Sequence, residues 1–315
     1  MDKKDIYFYI ALILLIIILI GLIIWYIIKK ISKNKPCNKY AGLTNNNNSC
    51  FFNVCMQIVA SLDYLYDYLQ KSNLKEDSFT TNLLNFIKDI RKNNTVIDNT
   101  DGYQNIMKYF CISKQFKYSK ENSADEFFNY LLNLLYYEEI SGLKLKILSN
   151  ELTKSEYKNL KENSFIFNYF ALVNFNQNYN FTFSIYTQAV NDIQYTINNF
   201  LYGNNEYTIP NWDSINISHF PKYLFIAFTS DCFKTNNFDF EQNLCLNFKD
   251  CVYKLKSFVL YYKPIIGVNH YFVVTKRDDQ FISFNDSLVE YFDIKKKFTG
   301  NYDITFTIYE LIDTN

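Results

Sequence analysis

Hydrophobic positions fall along this chain in three successive patterns. From Ile6 to Ile28 they form an almost unbroken apolar run. At 1.5 Å rise per residue such a run is long enough to span the roughly 30 Å hydrocarbon core of a bilayer, so it predicts a transmembrane helix. It ends in Trp25 and Tyr26, residues suited to a membrane interface, followed by Lys29 and Lys30. It is longer than the apolar core of a cleavable signal peptide and lacks a small-residue cleavage site, so retention is expected. Lys29, Lys30, Lys33 and Lys35 follow the run whereas Lys3 and Lys4 precede it. The positive-inside bias then places the C-terminal side in the cytosol.

The second pattern has helical period. Phe51, Cys55, Ile58, Leu62, Leu65 and Leu69 alternate four and three apart, which predicts a buried helix from about Cys50 to Gln70. Ser123, with Glu126 three residues on, reads as a capping box opening a second helix through Phe127, Leu131, Leu134 and Leu135. The third pattern is short and rich in aromatic and β-branched residues: Tyr223 to Thr229, Tyr253 to Tyr262, His270 to Thr275, Gln280 to Asn285 and Ile304 to Tyr309. Polar turns such as Arg277-Asp278-Asp279 separate these runs, which predict strands of an antiparallel sheet. No repeat or interdomain linker interrupts the chain from Tyr40 onward, so one α+β domain is expected, with its site in the cleft between helices and sheet.

Charge and cysteine content remove several alternatives. The 32 basic and 32 acidic residues cancel, leaving no global attraction for nucleic acid. Seven cysteines, an odd number without framework spacing, fit a reducing compartment better than a disulfide scaffold. No Cys-x-x-Cys pair exists, and a mixed site from Cys232, Cys245, Cys251 and His219 is a weak candidate, so no metal and no cofactor are expected.

With only two histidines in the chain, a Cys–His enzyme must use His219 or His270. His219 precedes Phe220-Pro221 and reads as a surface or turn residue. His270 opens a predicted strand, where a structural role is the usual one. Cys50 stands at the start of the amphipathic helix behind the polar loop Asn45 to Ser49. There the free backbone N–H groups and the helix dipole favour a thiolate. A plain buried cysteine, as Cys55 is expected to be, is the alternative.

Three blocks in this order resemble the ubiquitin-specific proteases. Gly42-Leu43-Thr44-Asn45-Asn46-Asn47-Asn48-Ser49-Cys50-Phe51-Phe52-Asn53 is similar to that family's cysteine box, with Asn47 in place of the usual glycine. Asn122-Ser123-Ala124-Asp125-Glu126-Phe127-Phe128 resembles the segment whose acidic residues bind the basic C-terminal tail of ubiquitin. Ser123 occupies its aspartate position. Asn269-His270-Tyr271-Phe272-Val273-Val274, followed by Gln280 to Ser287, is similar to the histidine box, with Asn269 where a glycine is usual.

The resemblance implies a papain-like cysteine protease fold with helical thumb, antiparallel-sheet palm and reduced fingers, since the zinc-binding cysteine pairs are missing. It implies Cys50 as nucleophile, His270 as base, Asn285 as the third catalytic residue, Asn45 as an oxyanion donor and Asp286 as its assistant or an aid to Asn285. Glu126 and Asp125 would contact ubiquitin's tail, and Tyr271 would narrow the channel for its terminal glycines. Turn or cross-strand roles are the plain alternatives for Asn285, Asp286 and Tyr271. The combined expectation is a short tail (1–5), a transmembrane helix (6–28), a basic linker (29–39) and a catalytic domain (40–313). That describes a single-pass protein of the mitochondrial outer membrane or endoplasmic reticulum, acting on ubiquitinated membrane-proximal proteins and touching the lipid bilayer. A catalytically weak ubiquitin-binding adaptor, or a protease for another ubiquitin-like modifier, are the competing readings.

Overall fold

A computed structural model describes residues 14–21, 35–46, 48–72, 75–143, 152–174, 179–185, 217–228, 245–248, 251–264, 267–295 and 302–314. The chain divides into two units, Met1–Lys35 and Pro36–Asn315. In the first unit, residues 14–21 are helical, with side chains about half exposed. Among the described residues no helix is long and apolar enough to cross a membrane. The expected spanning helix at 6–28 is therefore corrected, and the single-pass localisation goes with it. The remainder of that run lies outside the described residues.

The second unit pairs a helical layer with a mostly antiparallel sheet. Its helices are α1 (Cys50–Ser61), α2 (Asp63–Lys71), α3 (Phe79–Lys92), α4 (Thr100–Phe110), α5 (Ala124–Gly142), α6 (Lys154–Asn163) and α7 (Phe165–Phe170). Every residue of α1 is buried, because the helix runs between β8 on one side and α3 and α5 on the other. The predicted stripe is buried throughout, yet the single helix expected to Gln70 breaks at Leu62, where φ −88° and ψ 89° leave the helical region. Two neighbouring glutamates of α5 bind the layer together. Glu138 accepts from the Phe79 and Thr80 N–H groups, each at 2.9 Å, at the start of α3. Glu139 accepts from Phe165 N at 2.8 Å and Ile166 N at 3.1 Å at the start of α7. Both satisfy helix N-terminal donors that would otherwise lack partners.

The strands are β1 (Leu172–Asn174), β2 (Tyr179–Asn180), β3 (Phe183–Ile185), β4 (Ile217–His219), β5 (Tyr223–Phe228), β6 (Cys245–Phe248), β7 (Cys251–Tyr262), β8 (His270–Arg277), β9 (Gln280–Asn285), β10 (Leu288–Tyr291) and β11 (Asp303–Thr314). Among the described residues the main sheet runs β10-β9-β8-β7-β11-β5-β3, with β6 alongside β7, and β2-β1-β4 form a small second sheet. All five predicted strands are present. Asp278 and Asp279 both take left-handed φ, 44° and 62°, in the two-residue turn between β8 and β9. That is the geometry a tight hairpin requires.

Segment 36–44 crosses back over the β9–β10 hairpin. Pro36 bridges Glu290, and Leu43 N–H donates to Asp286 O at 3.0 Å. Cys37, Ala41 and Leu43 are buried as they pass, which fixes the approach of the following asparagine loop to the sheet.

Candidate active site

The site forms where the first turn of α1 meets the open end of the β8–β9 hairpin. Cys50 is the first residue of α1 and only 3% exposed. Burial pushes its thiol up to about 11, assisted by the negative charges of Asp286 and Glu121. The N–H groups of Tyr271 and Phe51 pull the other way, because each is directed at the sulfur and favours the thiolate. Desolvation wins. Burial thus works against the thiolate that the helix position favours. Cys55 behaves as the sequence suggests, fully buried with its Sγ on Ala124 O at 3.4 Å.

β8 opens at His270, one residue before the Tyr271 N–H that faces Cys50. His270 Nε2 lies 2.6 Å from Asn285 Oδ1, on the last residue of β9. An amide oxygen only accepts, so Nε2 carries the hydrogen and Nδ1 is left as the basic nitrogen. Asp286 follows directly, with Oδ2 3.6 Å from His270 Nε2.

Asp286 also organises the loop in front of Cys50. Its Oδ2 accepts from Asn45 Nδ2 and its Oδ1 from Asn53 Nδ2, both at 2.8 Å. Asn45 Oδ1 in turn accepts from Ser49 N–H at 2.9 Å. Buried Asn99 closes the network, giving Nδ2 hydrogens to Ser49 Oγ at 2.9 Å and to Asn53 Oδ1 at 2.6 Å. Asp286 turns in the left-handed region at φ 51° and Asn48 at φ 59°. Asp and Asn tolerate that conformation better than other non-glycine residues. Asn47 lies outside the described residues.

The opposing wall is the start of α5. Tyr271 is buried, its ring stacked on Tyr261 with centroids 4.4 Å apart, and the Ala124 N–H is directed at its phenol oxygen. Burial pushes that phenol up, so it stays neutral. Ser123 is the N-cap residue as expected, but the capping box is not formed: its hydroxyl donates to Asp125 Oδ1. Glu126 is exposed and, among the described residues, takes no hydrogen bond or ion pair. A true capping box occurs instead at Thr153 and Glu156.

Sequence reasoning missed Asn99, Glu121 and the structural part played by Asn53. Asn53 belongs to the cysteine-box pattern, whereas Asn99 and Glu121 sit in segments with no periodic signal. His219 is structural: its Nε2 is 3.1 Å from Asn168 O, and burial lowers its pKa. Among the described residues no group of three or more His, Cys, Asp or Glu side chains is placed to hold a metal ion. Cys232 of the weak mixed site lies outside them.

The fold is similar to solved structures of deubiquitinating modules. One is the SAGA Ubp8/Sgf11/Sus1/Sgf73 DUB module bound to ubiquitin aldehyde, at TM-score 0.56 and 14% identity, covering 90% of this chain and 72% of that one. Another is the yeast SAGA DUB module with a mutant Sgf73, at TM-score 0.54 and 14% identity, covering 90% and 71%. No match is found among curated protein sequences. The family model for ubiquitin carboxyl-terminal hydrolase matches residues 41–302. The papain-like expectation holds on these grounds, and the chain belongs to the ubiquitin carboxyl-terminal hydrolase family, as a cysteine-type ubiquitin hydrolase.

Proposed function

We propose that residues 40–313 form a catalytic domain that hydrolyses the bond after the C-terminal glycine of ubiquitin, with Cys50 as nucleophile. The observation that carries the reading is the 2.6 Å contact between His270 Nε2 and Asn285 Oδ1, made one residue from the N–H that faces the Cys50 sulfur. Held this way, His270 keeps Nδ1 free to act as the base toward the thiol. It takes the S–H proton as sulfur attacks the carbonyl carbon, then returns that proton to the departing amine. The thioester left on Cys50 is hydrolysed by water, which His270 deprotonates in the second half.

The oxyanion formed in each half needs a positioned donor. Asn45 Nδ2 carries two hydrogens and gives one to Asp286 Oδ2, which leaves the other for the substrate oxygen. Asp286 is thus the anchor of Asn45 in this reading. Tyr271, immobilised by Tyr261, walls the channel and restricts the residues next to the scissile bond to glycine. Glu126 and Asp125 supply carboxylates for the basic tail. The exposed, unpartnered state of Glu126 supports that role over a helix cap. Membrane-proximal substrates and bilayer contact depended on the anchor and form no part of this proposal.

The test is turnover of ubiquitin bearing a C-terminal fluorogenic amide. Wild-type protein is expected to release the fluorophore, and Cys50→Ser and His270→Ala to abolish release. Turnover that survives Cys50→Ser would refute the assignment. Binding of ubiquitin without any turnover by wild type would favour the adaptor reading.

A further inference from the structure

One carboxylate outside the proposed catalytic set reaches from the helical layer to β7 and to the residue just before His270. Glu121 lies in the loop before α5. One of its oxygens accepts from the Tyr261 hydroxyl, and the other accepts from Asn269 Nδ2 at 3.1 Å. Asn269 immediately precedes His270. Tyr261 pairs with Tyr271 in the β7–β8 register and stacks on it. Glu121 therefore holds both chain neighbours of His270, one directly and one through a stacked ring. The loop leading into β8 has little packing of its own here, with Val268 71% exposed and Gly267 at φ +127°.

We propose that Glu121 is a positioning residue for His270, acting through Asn269 and Tyr261. The proposal deepens the function proposed above, since a clamp on the residue before the base matters only if His270 is that base. It also gives Asn269 a reason to stand where a glycine is usual: a glycine has no amide to offer Glu121. A substrate contact by Glu121 would instead act on binding, so the two roles separate kinetically.

The experiment is a double-mutant cycle between Glu121→Ala and Asn269→Ala, read as kcat and KM on the fluorogenic ubiquitin amide. Each single change is expected to lower kcat roughly tenfold, as small misplacements of a catalytic group do. KM should stay within about twofold and the double mutant should be no worse than either single. Exchanging donor and acceptor in Glu121→Gln/Asn269→Asp is expected to bring kcat back to within about threefold of wild type, because the amide of the new residue can donate to the new carboxylate. Thermal melts of each variant separate misfolding from misplacement. Additive losses, a KM effect at unchanged kcat, or no recovery in the exchanged pair would overturn the proposal. The rate of Cys50 alkylation by iodoacetamide, read by peptide mass, runs the same cycle without ubiquitin. If wild type fails on the ubiquitin substrate, the proposed function falls, while non-additive slowing of alkylation still supports the clamp and additive slowing sinks it.

Discussion

Gly42 lies so close to Ser287 that a Cβ at residue 42 would stand 2.7 Å from the Ser287 carbonyl oxygen and 2.8 Å from that of Asp286. The loop carrying Asn45 is seated on the β9–β10 turn through this contact and through the Leu43 N–H bond to Asp286 O. Both obstructing atoms are backbone, which has little room to give. Gly42→Ala is therefore expected to cost about 1–3 kcal/mol of stability. It should also lower kcat, since lifting the loop moves Asn45. A thermal melt with paired kinetics checks both, and an unchanged melting temperature would show that the seat is looser than described.

Asp286 holds Asn45 and Asn53 at once, so its side chain and its backbone conformation can be tested apart. Asp286→Gly preserves the left-handed turn and removes the carboxylate. It is expected to fold and to lose about 10²–10³-fold in kcat, the usual cost of one oxyanion donor. A loss no larger than that of Asn53→Ala would mean that Asp286 supports the loop alone and leaves the reaction untouched.

Asn285→Ala removes the acceptor that fixes the imidazole. The expected outcome is a fall in kcat with KM little changed, because the ring tautomer matters to proton transfer and not to ubiquitin binding. Asn285→Asp retains an acceptor at the same place and should keep most of the activity. Equal losses in the two variants would contradict the orienting role.

Cys50 provides a pH test. Burial raises its thiol to about 11, above the roughly 8.5 of an unfolded cysteine. The neutral form is the one the fold favours, so its contribution to stability is fully present below about 8.5 and disappears as pH rises through about 11. Wild-type protein should lose stability relative to Cys50→Ala across that window. Alkylation of Cys50 in the free protein should climb by about tenfold per pH unit from neutral upward. A plateau already reached at neutral pH would mean a preformed thiolate.

How much of this was legible in the sequence depended on what each signal measures. The β7, β8 and β9 strands carry alternating or wholly apolar runs, and their extents fell within a few residues of those predicted. Helix α1 is buried on all sides, so its stripe could report burial but not the break at Leu62. β10 was missed because Leu288–Tyr291 is short and earns its place by pairing with β9 and with Pro36. In the proposed site, Cys50, His270 and Asn285 rest on a resemblance of spacing, whereas Glu121 is bonded to residues 140 and 148 positions away, which no local pattern encodes. The capping box is absent for a local reason: the Ser123 hydroxyl donates to Asp125, two residues on, and its oxygen accepts from no N–H of the helix. The apolar run at 6–28 was read from hydropathy and length alone, and among the described residues no helix is long and apolar enough to cross a membrane.

The most direct test of the central claim is reaction with ubiquitin carrying a C-terminal electrophile, followed by intact-mass and peptide-mass analysis. The prediction is one ubiquitin adduct, located on Cys50, absent in Cys50→Ser and slowed in Asn285→Ala. No adduct under conditions where a control deubiquitinase is labelled, or an adduct on Cys37, Cys111 or another cysteine, would contradict the account.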